Sequence, residues 1–405
     1  MAIFSPADAR RAVERGFDDT VGFLADLVRV PSLLGGEEPA QQLVEARLGD
    51  LGLEIQSVVP DPEQLAERPD SGTPLMSYEG RRSLIGTLGE GGGRSLVLNG
   101  HVDVVSAEPL DRWTKEPFGA EVAGGRMYGR GSCDMKGGVA AMLLGVEAAL
   151  AAGPLPGRLV YQSVIEEECG GNGALAAVLA GPPADAALIA EPTNGGMDLV
   201  AVGVIWARIT LEADSRHASN ADRGSNPIEA AYPVIEALHG LEEELNADPE
   251  PEVAELEQPY LLNVGALHAG DWPSMTPGRS TLDVRLGFPI RLEPSEAQER
   301  LAQAVHAADP AAQVEFRGFR ARGYSFDPES PFVRMLSDCH EEVRGGRPRP
   351  DPSRATTDLR FFEGHAVCYG PTGENLHGVD EWVDLESVAK VATVIALLIR
   401  RWGEA

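Results

Sequence analysis

The sequence predicts an α/β protein in which one folded unit is threaded through another, and three observations carry that prediction. Apolar strand-like runs alternate with helical spacing over residues 7–190. From residue 204 to 317 the order changes to strand, helix, strand, strand, helix, strand, which is the ferredoxin-like split motif. The chain then returns to α/β character and closes on a helix. Residues 204–317 therefore read as an insert (βαββαβ), and 1–203 with 318–405 as a discontinuous α/β unit. A chain of 405 residues can supply each unit with its own core.

The elements follow in order. Residues 7–28 and 38–52 carry apolar positions at helical spacing, and a Pro- and Gly-punctuated stretch separates them from strands at 83–87 and 95–100. Residues 136–152 are apolar nearly all round, as a buried helix is. Residues 158–165 and 186–190 read as buried strands, the first ending at an acid triplet and the second at Glu191. In the insert, strands at 204–213, 260–270, 279–288 and 312–318 alternate with helices at 226–245 and 294–308. The last helix covers 384–402. The Pro/Glu-rich patch at 248–258 reads as a solvated loop, and no internal repeat is evident.

Composition excludes several classes. A formal net charge of −29 repels phosphate backbones and anionic lipid, which argues against nucleic-acid and membrane partners. No run approaches eighteen uninterrupted apolar residues, and the first residues lack the apolar core of a signal peptide, so a soluble cytoplasmic protein is expected. Cys133, Cys169, Cys339 and Cys368 are scattered without a CxxC, as reduced thiols are. Cys133 and Cys169 lie beside acidic motifs but read as small fillers.

The chemistry concentrates at strand ends, where ligands gather in α/β sheets. His101 and Asp103, in NGHVDVV, are spaced to share one strand face, so the Asp103 carboxylate is expected to accept one ring N–H of His101 while the other nitrogen binds a cation. Asp134 in GRGSCDMKGG, Glu166, Glu167 and Glu168 in VIEEECGGNG, Glu191 in ALIAEPT and His377 in PTGENLHGVDEW add carboxylates and a second imidazole. Nitrogen and oxygen donors without thiolate suit zinc, cobalt or manganese. Burying so many acids together is costly unless cations neutralise them, and two ions sharing one carboxylate would do so. Read singly, each residue has a structural explanation: Asp134 as a helix cap, the acid triplet as a solvated turn, His217 and His377 as surface residues. Their joint occurrence speaks for the site.

These segments, in this order and over nearly the whole chain, resemble the M20 metallopeptidase and amidohydrolase family, which includes acetylornithine deacetylase, succinyl-diaminopimelate desuccinylase, aminoacylase and glutamate carboxypeptidase. The resemblance implies an α/β catalytic domain (1–203 and 318–405) with a ferredoxin-like lid and dimerisation domain (204–317). It implies two divalent ions, zinc first among the candidates. His101 is the first-site ligand with Asp103 behind it, and Asp134 the bridging carboxylate with a cis peptide just after it. Aligned on the glycines, EEECGG makes Glu167 the general base and Glu168 the second-site ligand, with Glu166 in place of the family's usual aspartate. Glu191 completes the first site and His377 the second. His217, in SRHASNADRGSNPIEA, matches the histidine that reaches across a homodimer to the tetrahedral oxyanion. Arg285, Asn226 and Gly373 are the implied substrate contacts, Arg285 clamping a carboxylate. Arg354 and Asp358, in SRATTDLRFF, fall near the family's active site as structural support or substrate contact.

The expected activity is hydrolysis of an N-acyl amide of an amino acid or small amine, in the manner of acetylornithine deacetylase. Alternatives are a dipeptidase or carboxypeptidase, and a deacylase like the formylaminopyrimidine deformylases, whose segment the WPS of GDWPSM resembles. A non-catalytic binding protein on the same fold would have lost a ligand or the base, and none is lost here.

Overall fold

A computed structural model describes residues 4–89, 91–222 and 225–405. Before the insert the chain forms α1 (Pro6–Arg29), α2 (Glu38–Asp50), β1 (Glu54–Val58), β2 (Ser83–Leu88), β3 (Gly93–His101), α3 (Gly138–Leu150), β4 (Gly157–Val164), α4 (Asn172–Ala180), β5 (Ala186–Ile189) and β6 (Met197–Ala201). The insert supplies β7 (Gly203–Glu212), α5 (Pro227–Asn246), β8 (Leu262–Ala269), β9 (Arg279–Phe288), α6 (Pro294–Ala308) and β10 (Gln313–Ala321). After it come β11 (Tyr324–Ser325), α7 (Pro331–Arg344), β12 (Pro350–Ser353), β13 (His365–Cys368) and α8 (Leu385–Glu404).

The local chemistry of the helix starts is explicit. Ser5 and Asp8 form a reciprocal capping box with Pro6 in the first turn of α1, a device worth about 1 kcal/mol. Asn226 caps α5 before Pro227, and Asp384 caps α8. α3 is buried over nearly all its length, as its all-round apolar sequence requires. Its first residue must be glycine, because a Cβ on Gly138 would lie 1.9 Å from the Ala190 carbonyl oxygen. That close approach seats the helix against the end of β5, next to Glu191.

Among the described residues the larger sheet has nine strands in the order β1-β2-β4-β3-β5-β13-β6-β11, with β12 beside β6. β3 runs parallel to β4 and β5, and β13 parallel to β5, so their carboxyl ends open on one edge. This is the mixed sheet expected of an α/β unit, and its core gathers α1, α3 and α8 around β3, β4 and β5. Among the described residues no helix is long and apolar enough to cross a membrane.

The insert builds a separate antiparallel sheet, β8-β9-β7-β10, over its own apolar cluster. Ile205, Ala207, Ile209 and Leu211 of β7, with Leu282, Val284 and Leu286 of β9, are buried in that cluster with apolar residues of α5 and α6. The alternate residues, Trp206 and Arg208 of β7 and Asp283 and Arg285 of β9, stand on the opposite face and are half-buried. Only Val202 separates β6 from β7, and two residues separate β10 from β11. A single antiparallel bridge from Thr73 to Gly318 adds a third tie between the units.

Candidate metal centre

Three parallel strands deliver the acids and the first imidazole. His101 is the last residue of β3; the turn after β4 carries Glu166, Glu167 and Glu168; Glu191 follows β5. Asp134 lies in a distorted turn before α3, with extended backbone (φ −107, ψ 98) and a cis bond to Met135, as the family resemblance implies. α3 starts without a side-chain cap, so Asp134 does not serve as one.

Asp134 stands between the two imidazoles. Its Oδ1 is 3.3 Å from His101 Nε2 and its Oδ2 is 3.3 Å from His377 Nε2. Glu191 Oε1 approaches His101 Nε2 at 3.6 Å, and Glu168 Oε2 approaches His377 Nε2 at 3.0 Å. Donors about 2.1 Å from a shared tetrahedral ion stand roughly 3.4 Å apart. Two groupings, His101 with Asp134 and Glu168 and His101 with Glu167 and Glu191, bring one donor atom from each residue within 4.8 Å of the others. His101 Nε2 and Glu167 Oε1 are buried without a hydrogen-bond partner, as groups built to meet an ion or a reactant are. The donor set thus fits divalent cations.

The support behind the ligands differs from expectation in one detail. His101 Nδ1 bonds the backbone carbonyl of Asp103 at 2.9 Å, while the Asp103 carboxylate is 3.7 Å away. β3 ends at His101, so strand alternation no longer holds two residues later. The carboxylate instead accepts the backbone N–H groups of Glu167 (3.2 Å) and Glu168 (3.1 Å). Asp103 therefore orients the histidine through its carbonyl and the acid turn through its side chain.

Within that turn Glu166 faces away from the imidazoles. Its Oε1 accepts from Tyr78 Oη at 3.1 Å, its Oε2 lies 3.7 Å from Arg81, and its backbone is left-handed at φ 66. Gly170 and Gly171 close the turn by donating to the Glu166 carbonyl. A Cβ on Gly171 would lie 2.0 Å from Arg360 and 2.7 Å from Asp358, so only glycine admits that pair.

The electrostatics follow from the crowding. Burial pushes Glu167 well above the usual carboxylate range, and the Asp358 charge adds to it. Burial likewise raises Glu191 and Glu168, each with Asp134 as the next contributor. For Asp134 burial works the other way from the net result, and the two imidazoles beside it, His101 and His377, hold it low. Both histidines are raised despite burial, chiefly by Asp134. Burial also pushes the Cys133 and Cys169 thiols up, which leaves them as unreactive fillers.

The cluster opens into a cleft of about 280 Å³ whose far wall belongs to the insert, including Trp206, Arg285 and Phe319. Arg285 is thus brought to the site, held by its Nη2 at 2.7 Å from the Arg354 carbonyl. The other expected contacts are not. His217 is exposed, its Nδ1 bonded to Ser219 of its own turn. Asn226 is occupied as the cap of α5, 3.0 Å from the Ile228 N–H. Gly373 is buried in a short strand, where a Cβ would lie 2.2 Å from the Trp382 carbonyl and 2.4 Å from Cys133 Sγ.

Glu381 carried no expectation from the sequence, and Asp358 carried one without a place. Glu381 is fully buried, pairs with Arg130 at 2.7 Å and accepts the N–H groups of Gly131, Cys133 and Asp134. It holds the Asp134 loop in shape; its place four residues after His377 was the available signal. Asp358 is buried with neither oxygen hydrogen-bonded and Arg360 at 3.8 Å, and burial pushes it up to about 7. It was read as support or substrate contact; its placement behind Glu167 required the fold.

Residues 97–401 match the family described as Peptidase family M20/M25/M40. A succinyl-diaminopimelate desuccinylase of Rhodospirillum centenum is 28% identical over 399 residues, covering 95% of this chain and 97% of that protein. Human carnosine dipeptidase 1 superposes with a TM-score of 0.80 at 14% identity, over 99% of this chain and 100% of its own. An M20 family metallo-carboxypeptidase of Sulfolobus solfataricus gives 0.77 at 18% identity, over 95% and 99%.

Proposed function

The chain belongs to peptidase family M20/M25/M40 and is a metal-dependent amidohydrolase, and from that premise we propose that it uses two divalent ions to hydrolyse the N-acyl amide of an amino acid or small amine. The observation that carries the reading is the position of Asp134 between His101 and His377, beside a base with a free buried oxygen. His101, Asp134 and Glu191 would hold one ion and Asp134, Glu168 and His377 the other, zinc being the first candidate, then cobalt or manganese. Such ions supply carbonyl polarisation and acidify water.

Glu167 takes a proton from the attacking water at Oε1 and returns it to the leaving amine nitrogen. Its Oε1, buried and without a hydrogen-bond partner, is placed to hold that proton between the two transfers. The scissile C–N bond breaks, giving a carboxylate and a free amine. Arg285, on the cleft wall, binds a substrate carboxylate. The exposed His217 completes the site from a second copy of the chain in a homodimer, donating to the developing oxyanion. Asp103 keeps the base and His101 in register. The desuccinylase name borne by relatives of 28% identity supports a deacylase over a peptidase. A cytoplasmic location accords with the reduced cysteines.

The test is turnover by metal-reconstituted protein on a panel of N-acetyl and N-succinyl amino acids and dipeptides. Cleavage of N-acyl amino acids is expected. Two bound ions with no turnover of any member, together with tight binding of a small molecule, would mark a binding protein instead. Glu167→Gln should keep its metal and lose turnover about 10²- to 10⁴-fold; full activity in that variant would refute the base.

A further inference from the structure

Beyond the cleft lies a second compartment that the reaction does not use. It has a volume of about 300 Å³ and lies on the open face of the insert sheet, sharing Trp206 and Arg285 with the metal cleft. Cross-strand register explains the sharing: Asn263, Arg285 and Trp206 are direct neighbours across β8, β9 and β7. They form a row at the cleft end of the sheet. One row further, Asp283 stands opposite Arg208. The two spaces are therefore neighbouring rows of one surface, with the indole and the Arg285 guanidinium between them.

The lining has a definite chemistry. Trp206 supplies a flat apolar wall, fixed by an edge-to-face contact with Phe319 at 5.1 Å and 74°. Its Nε1–H is buried with no acceptor among the described residues. Leu75 closes the space from the other unit. Of the three arginines here, Arg208 is satisfied, with two bonds of 2.7 Å to Asp283. Arg285 binds only a backbone carbonyl, and Arg317 makes no ion pair among the described residues, feeling Asp283 only at longer range. In a chain of net charge −29 this patch carries three arginines against one aspartate. Half-buried cations without anions await oxygen acceptors.

We propose that Trp206 and Arg317 form a specificity subsite that takes the side chain of the substrate's amino-acid half: a flat apolar arm ending in a carboxylate. The arm passes Arg285, lies against the indole and ends at Arg317. The proposal rests on the deacylase reading above, and its test separates the two.

The probes are N-acetyl-L-alanine, N-acetyl-L-phenylalanine and N-acetyl-4-carboxy-L-phenylalanine, assayed with the metal-loaded dimer. kcat/KM should rise along that series. Arg317→Ala should lower the ratio of the carboxyphenyl to the phenyl substrate at least tenfold, mostly in KM. Trp206→Ala should lower the ratio of the phenyl to the alanyl substrate, and Trp206→Phe should restore part of it. A flat series, or an Arg317 variant that slows both aryl substrates equally, overturns the subsite. If no substrate is cleaved, the deacylase reading fails by itself. Calorimetric titration with free 4-carboxy-L-phenylalanine then decides the subsite: at least tenfold weaker binding to Arg317→Ala upholds it, and equal or absent binding to both proteins overturns it.

Discussion

The acid turn after β4 and the turn that carries His217 make an instructive pair. Both present polar side chains singled out from the sequence, yet those of the first are tied to distant parts of the chain, whereas the His217 side chain bonds only within its own turn, whose backbone pairs with Met275 and Thr276. The backbone N–H groups of Glu167 and Glu168 donate to the Asp103 carboxylate, Glu166 meets Tyr78 and Arg81, and Glu168 meets His377. His217 bonds Ser219, two residues on, and is exposed. A single chain can finish a site whose parts hold each other across long sequence separations. A side chain with only local partners is free to serve another body, which is where the proposed homodimer places His217.

That contrast can be broken experimentally. The largest effect is expected from Asp134→Ala, which removes the one carboxylate between the imidazoles. Metal analysis should find both ions lost and turnover abolished; retention of two ions would mean Asp134 bridges nothing. His217→Ala should keep its metal and lose about 10²- to 10³-fold in kcat. Mixing that variant with Asp134→Ala after dissociation and reassociation should restore turnover, since one site of the mixed dimer is intact. Mixtures as inactive as their parts would place His217 outside the chemistry. Glu381→Gln, which disturbs the support of the Asp134 loop, should weaken metal binding by about 10- to 100-fold while leaving stoichiometry unchanged.

The smallest effect concerns pH. His340, on α7, bonds the Tyr369 hydroxyl at 2.9 Å, and burial, with Arg344 nearby, holds its pKa down to about 4. An unfolded histidine titrates near 6.5, so the unfolded chain binds the proton first as pH falls. Its contribution to stability is full above that value and is lost as the pH drops toward 4. Thermal unfolding at pH 7 and pH 5 should show a smaller difference for His340→Gln than for the parent; equal differences would exclude the histidine as the sensor.

Much of the fold was legible because period and punctuation carry it. The strand and helix order read over 204–317 matches the order of the longer elements between Gly203 and Ala321, a few residues wider at each end. The strand ends that bring His101, Glu167 and Glu191 together follow from parallel strands meeting at one edge. The rest depends on partners remote in sequence. Glu381 acts on backbone N–H groups up to 250 residues away, and no local pattern marks backbone acceptors. The Asp103 carboxylate was assigned to His101 by strand alternation, which the end of β3 cancels. Asn226 looked like a contact because its segment resembled one, whereas a residue before Pro227 is first of all a helix cap.

The place of β13 in the large sheet has a consequence for how the protein is made. β5 and β6 are separated by a short loop in sequence, but residues 365–368 fill the slot between them. A chain emerging from the ribosome completes β5, β6 and the whole insert before that strand exists. Until then two apolar strand edges stand open, and the insert, whose apolar core is its own, can fold first. Assembly of the larger unit is thus the late and aggregation-exposed event in synthesis, and truncations that stop short of residue 365 leave the metal-bearing edge of the sheet unclosed.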